Sequence, residues 1–228
     1  MPPIVFLILS FLAIFTVAFL SIYLLYQFLT NFQPGKNKVL SDFRKMRAEI
    51  KEWSDQLVPW GKEEMGLLSL NQVNQKIKRG FSKTAKGIFT SIYHEPLIVY
   101  TYKKYIAAKE NAILYARTSG NEYAYRIKKN KIDVNIDGQY AGFLNEQGHF
   151  YGGRRSRLLA KINRDDELQL HPVIIGDREV ASVVNPIKSA KHNPRAFQFV
   201  QNMEAKEEKM FLALAILEMV TESLKEEF

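Results

Sequence analysis

Met210-Phe-Leu-Ala-Leu-Ala-Ile-Leu217 is the stretch that decides the fold. It lies in a run of good helix formers from Glu204 to Glu227 that holds no glycine or proline, so the run is expected to be helical. A helix bordering solvent keeps one polar face. This one is apolar on every side, and Met219 and Val220 continue it beyond Glu218. Its middle must therefore be enclosed. Eight to eleven residues are too few to cross a bilayer, so the expected enclosure is protein. Glu204, Lys206, Glu207, Glu208 and Lys209 at one end, and Glu222, Lys225, Glu226 and Glu227 at the other, suit the solvated mouths of a sheet wrapped around the helix.

Strands to build that sheet precede it. Ile88 to Tyr93, Leu97 to Tyr102 and Ala112 to Thr118 are short runs rich in β-branched and aromatic residues. Tyr123 to Ile127 and Ile132-x-Val134-x-Ile136 alternate with period two, and Asp137-Gly138 marks a hairpin into Tyr140 to Leu144. A loosely similar unit returns as Val173-Ile174-Ile175, a Gly176-Asp177 turn and Val180 to Asn185. It is a weak repeat that any pair of hairpins would produce.

Short antiparallel strands in hairpins of hydrophobic-x-Ile-Asp-Gly-x-x-x-Gly character (Val134 to Gly142), followed by a hydrophobic helix, resemble in layout the tubby-like barrel shared by tubby, LURP-one and phospholipid scramblase proteins. The resemblance covers roughly residues 87–228. It implies a closed barrel around a helix from about Met210 to Val220, and membrane-proximal work such as phosphoinositide binding or lipid handling. No binding residue carries over by motif. The anchor at the N-terminus also departs from the family, whose tubby members reach membranes through lipid and whose scramblases carry a C-terminal membrane segment.

That anchor is Ile4 to Leu29, 26 residues without a charge. At about 1.5 Å per residue it exceeds the roughly 30 Å hydrocarbon core of a bilayer. Tyr23 and Tyr26 suit the headgroup layer. A cleaved signal peptide would need a basic n-region, a shorter apolar run and a small-residue cleavage site, and none is present. No Lys or Arg precedes Ile4, whereas Lys36, Lys38, Arg44, Lys45 and Arg47 follow the span. The positive-inside rule then puts the N-terminus outside and the C-terminal domain in the cytoplasm. The absence of cysteine fits a reducing compartment and excludes disulfides and thiolate chemistry.

After Pro34-Gly35, apolar residues recur at Val39, Phe43, Met46, Ile50, Trp53, Leu57 and Trp60 in alternating steps of four and three. This is the seam of an amphipathic helix. It reads either as a short coiled coil that makes a homodimer or recruits a protein partner, or as a lone helix lying on its own domain or on the lipid surface. A second helix is expected from about Leu67 to Arg79, with Leu70, Val73 and Ile77 on one face and Gly80 as its stop. The expected organisation is α+β: a transmembrane anchor over 1–33, a helical juxtamembrane connector over 34–86, and an antiparallel barrel-like domain over 87–228.

The net charge of +8 is uneven. Residues 76–109 carry eight Lys/Arg against the single acid Glu95, a balance of +7, whereas 110–228 balance seventeen against seventeen. With Phe81, Phe89, Tyr93, Tyr100, Tyr102 and Tyr105 interleaved, the segment can hold a polyanion, and the anchor makes anionic phospholipid the nearest one. Lys76, Lys78, Arg79, Lys83 and Lys86 are the lipid-binding candidates. The alternative is that these are solvated strand-end and loop residues. Arg154, Arg155 and Arg157, after Gly152-Gly153, form a second candidate anion loop or a plain exposed one. Nucleic acid is disfavoured, because no recognition motif accompanies the charge.

Catalysis finds little support. His94, His149, His171 and His192 stand apart without ligand spacing, and Arg164-Asp165-Asp166-Glu167 is a run of the kind that faces water in a turn. Phosphate-binding glycine loops and the Gly-x-Ser-x-Gly elbow are missing. No metal or cofactor is expected. An unfamiliar active site would show as a concave pocket with convergent polar groups. The reading is a membrane-anchored binding module for anionic lipid headgroups, with a scaffold acting through the heptad helix as the alternative.

Overall fold

The computed structural model describes residues 3–32, 34–80, 82–106, 110–153, 157–165, 167–189, 195–225 and 227. Helix α1 (Pro3–Phe32) is followed by α2 (Lys36–Glu49), the short α3 (Lys51–Ser54) and a 3-10 turn over Lys62–Leu67. Twelve strands come next: β1 (Leu68–Lys78), β2 (Ser82–Ser91), β3 (Pro96–Tyr105), β4 (Asn111–Arg117), β5 (Glu122–Lys128), β6 (Lys131–Ile136), β7 (Gln139–Asn145), β8 (His149–Gly152), β9 (Leu158–Ile162), β10 (Leu170–Ile175), β11 (Arg178–Val184) and β12 (Phe197–Gln198). The chain ends on α4 (Ala205–Ser223).

Each strand pairs antiparallel with the next, so the sheet is a simple meander from β1 to β12. A bridge between Ser69 and Arg195, with the Ala196 N–H donating to the Leu68 carbonyl at 2.7 Å, brings its two edges together. The result is a nearly closed barrel, which leaves little edge to aggregate. Through its middle runs α4, with every residue from Phe211 to Val220 buried. The strands supply the wall with Phe89, Tyr100, Tyr125, Leu144, Phe150 and Phe197, and the Phe211 ring meets Phe197 edge-on at 4.8 Å. The Tyr125 hydroxyl donates to the Ala213 carbonyl at 2.8 Å, which satisfies its polar tip in the apolar interior.

Turn chemistry sets the hairpins. Asp137 (φ 52°) and Gly138 (φ 75°) form the left-handed two-residue turn expected between β6 and β7. At Gly148 (φ 76°) the β7/β8 turn passes so close to β9 that a Cβ would lie 2.0 Å from the Ile162 carbonyl oxygen, so only glycine fits.

The helix expected from Leu67 to Arg79 is instead β1, and residues 68–78 and 82–86 belong to the sheet rather than to a helical connector. The cause is visible in the pairing. Register shifts between Leu68 and Gln72 and between Val73 and Lys76 break the two-residue alternation, so Leu70, Val73 and Ile77 imitate a helical spacing. Ile77 pairs with inward Ala85, whereas Val73 pairs with Ile88 on the outside and is exposed.

The heptad seam is not one helix through Trp60: it forms α2 and α3, which end at Ser54, and its residues Val39 to Leu57 lie on the outer face of their own sheet, while Trp60 packs against the barrel core. Met46, Ile50 and Leu57 are buried against Ile88, Val99, Tyr105, Ile113 and Tyr115, with Val39, Phe43 and Trp53 packed at the margin. Of the two readings of this seam, packing on its own domain is the arrangement found. Polar contacts set its register. Asp42 accepts from Lys103 at 2.9 Å and from the Tyr105 hydroxyl at 2.8 Å, and Arg47 bonds to Glu122 and the Tyr115 hydroxyl.

Candidate functional site

In a meander, alternate turns gather at opposite ends. The β1/β2, β3/β4 and β5/β6 turns share one end with the C-terminus of α4, and the β2/β3, β4/β5 and β6/β7 turns share the other with its N-terminus. Helix α2 starts at the first end, where Asp42 meets Lys103 and Tyr105 at the close of β3. It descends toward the second, where Arg47 meets Glu122 at the start of β5. We call these the near and far ends.

A groove of about 250 Å³ opens between α2 and the outer face of β1–β3. Strand alternation brings Lys76 and Lys78 of β1, Thr84 and Lys86 of β2, and Thr101 and Lys103 of β3 onto this one face, and α2 contributes Asp42, Lys45 and Glu49. Asp42 is already committed to Lys38, Lys103 and Tyr105. Burial works against its charge, but the bonds from Lys103 and Tyr105 prevail and hold the carboxyl below its usual value. Burial lowers the Lys103 ammonium despite Asp42. Lys45, Lys76 and Lys78 make no ion pair among the described residues, and Lys86 lies 4.9 Å from the Trp53 ring centre. Five lysines against Asp42, which is already committed, and Glu49 leave the groove net positive, and with Thr84 and Thr101 beside them it is suited to an oxyanion.

The five sequence candidates do not form one patch. Lys76, Lys78 and Lys86 converge on the groove. Arg79 bonds to Glu227 at 2.8 Å, and Lys83 pairs with Lys104 on the strand side that leads into the barrel. Arg157 is exposed beside the β8/β9 turn at the far end, and Arg154 and Arg155 lie outside the described residues. His192 is likewise outside them.

Sequence reasoning missed a buried ion cluster. His171 of β10 points inward and is fully buried, its Nδ1 2.8 Å from Glu218 Oε1 on α4, and Arg164 Nε stands 2.8 Å from Glu218 Oε2. A cavity of about 380 Å³ reaches this cluster from the near end, past Tyr102, Lys104, Glu110 and Glu222. Burial opposes both charges, but the mutual bond prevails, raising His171 and lowering Glu218. A carboxylate so paired is a poor proton acceptor, so the cluster reads as a latch between α4 and the wall. The available signal was Glu218 itself, because a charge on an enclosed helix needs a partner. Among the described residues no group of three or more His, Asp or Glu side chains could hold a metal ion.

Fold and site together define a helix-filled antiparallel barrel with a basic groove under an attached amphipathic helix. Neither the family models, nor the curated proteins, nor the solved structures yield a match to this chain.

Proposed function

We propose that the protein is a membrane-anchored binding module whose barrel contacts anionic lipid headgroups through the groove between α2 and β1–β3. Residues Ile4–Phe32 of α1 are long and apolar enough to span, and none of its most apolar window is covered by the rest of the chain. The observation that carries the reading is the convergence of Lys76, Lys78 and Lys86 of the sheet with Lys45 of α2 on one concave face, α2 being the helix that begins four residues after the anchor ends. Four residues extend at most about 14 Å, so the groove's helix starts close to where the anchor leaves the bilayer. The barrel closed around a helix also agrees with the layout of tubby-like proteins, and cytoplasmic placement follows from the basic flank.

The test uses residues 34–228, which keep α2 on its sheet. Flotation is compared on anionic and neutral vesicles, at low and high salt. At about 1 kcal/mol per basic residue, replacing Lys76, Lys78 and Lys86 by glutamine is expected to weaken partitioning onto anionic vesicles by roughly a hundredfold. Replacing Lys83 and Arg79 is expected to do less. No binding to anionic vesicles at low salt would overturn the reading.

A further inference from the structure

The charge on the near rim divides by sector. Turns β1/β2, β3/β4 and β5/β6 and their flanks hold Lys78, Arg79, Lys83, Lys103, Lys104, Lys128, Lys129 and Lys131 among the described residues; Arg79, Lys103 and Lys131 are paired with Glu227, Asp42 and Asp133, and with Glu110 also counted the sector keeps an excess of four positive charges. The remaining half of the same rim, around β7/β8, β9/β10 and the end of β11, presents Glu146, Asp165 and Glu167 together with Lys161, Lys188 and Arg195 among the described residues, while Arg164 is held by Glu218, so this half is close to neutral. The far-end turns of the basic hairpins, 92–95, 118–121 and 137–138, contain no Lys or Arg at all. The basic half is also the half that carries α2, because α2 is buried on β2, β3 and β4.

We infer that the barrel rests tilted on the leaflet from which α1 emerges, with the β1/β2, β3/β4 and β5/β6 turns against anionic headgroups and the β7/β8 and β9/β10 turns lifted away. This rests on the lipid-binding reading above and adds a second contact, Lys128 and Lys129, that the groove does not include. Both are exposed and make no ion pair among the described residues, so a phosphate can approach them without displacing an acid. Two constraints fix the pose. The short link from Phe32 to Lys36 holds the basic side down, and attraction to anionic lipid acts only within about a Debye length, roughly 8 Å at physiological salt, so a rim charged on one side tilts toward that side. The far mouth, with exposed Tyr93 and Tyr140, then faces away from the bilayer.

The chain has no cysteine, so single labels are unambiguous. Full-length Asn130→Cys (β5/β6), Gln147→Cys (β7/β8) and Ser119→Cys (far end) would each carry a fluorophore in nanodiscs doped with a headgroup-linked quencher. In anionic discs, quenching at position 130 is expected to exceed that at 147 several-fold, with none at 119. Neutral discs, or Lys128→Gln with Lys129→Gln, should shrink the difference toward what the Phe32–Lys36 link alone imposes; an unchanged difference in both would overturn the electrostatic contact. Equal quenching at 130 and 147 in anionic discs would overturn the tilt. If flotation of residues 34–228 still prefers anionic vesicles, that result leaves the groove reading standing; if flotation shows no preference, both fall.

Discussion

His171 Nδ1 and Glu218 Oε1 lie 2.8 Å apart in the interior of the barrel, one on the wall and the other on the central helix. Arg164 completes the cluster from the β9/β10 turn. This is a charged junction inside a largely apolar contact between α4 and the sheet, and its behaviour can be anticipated.

Removing Glu218 leaves half-buried Arg164 without its counter-ion and takes from buried His171 the partner that favours its charged form. Glu218→Ala is expected to destabilise the barrel by about 3–5 kcal/mol. Replacing His171 and Glu218 together by leucine should cost far less than the two single losses added. Chemical denaturation of the wild type, His171→Leu, Glu218→Leu and the double leucine variant closes a double-mutant cycle and measures the coupling directly.

Stability should also depend on pH in a defined way. His171 is raised above its ordinary 6.5 in the folded state, so its contribution is complete below about that value and is lost as pH rises through the elevated folded value. Glu218 is lowered from 4.5, so its contribution is present above that value and is lost as pH falls through the depressed one. Maximal stability is therefore expected between the two, in mildly acidic solution. His171→Phe should remove the decline on the alkaline side in urea titrations across pH.

Asp42 fastens the first turns of α2 to the end of β3. Asp42→Ala strands Lys103 and the Tyr105 hydroxyl, and is expected to cost about 1–3 kcal/mol. Amide exchange should rise over α2 while the strands on the opposite side of the barrel keep their protection. Uniform protection of α2 in the variant would show that Met46, Ile50 and Leu57 hold it without the carboxylate.

Much of this architecture is legible in local pattern. The all-round apolar stretch from Met210 to Leu217 demands enclosure, and the alternation at Ile132, Val134 and Ile136 with the Asp137-Gly138 turn marks hairpins, because these signals depend only on neighbours along the chain. Strand β1 departs from its expected helix for a physical reason. Its bulges move apolar side chains off the two-residue period, and a bulge becomes apparent only against the partner strand. The five basic candidates were separable only by knowing which side of each strand faces α2. Lys76, Lys78 and Lys86 face it, whereas Lys83 does not.

By itself, then, the sequence determined a long apolar N-terminal helix, an amphipathic helix after it, a run of short antiparallel strands and a helix that must be buried, since hydrophobic period and length govern each of these locally. Tertiary structure alone decided that β1 joins the sheet, that the heptad seam is covered by Ile88, Val99 and Ile113, that Glu218 finds His171 forty-seven residues away, and that Lys76, Lys78 and Lys86 face α2 across one groove. These depend on which residues meet across a closed barrel, and contacts between distant segments leave no trace in the spacing of either one.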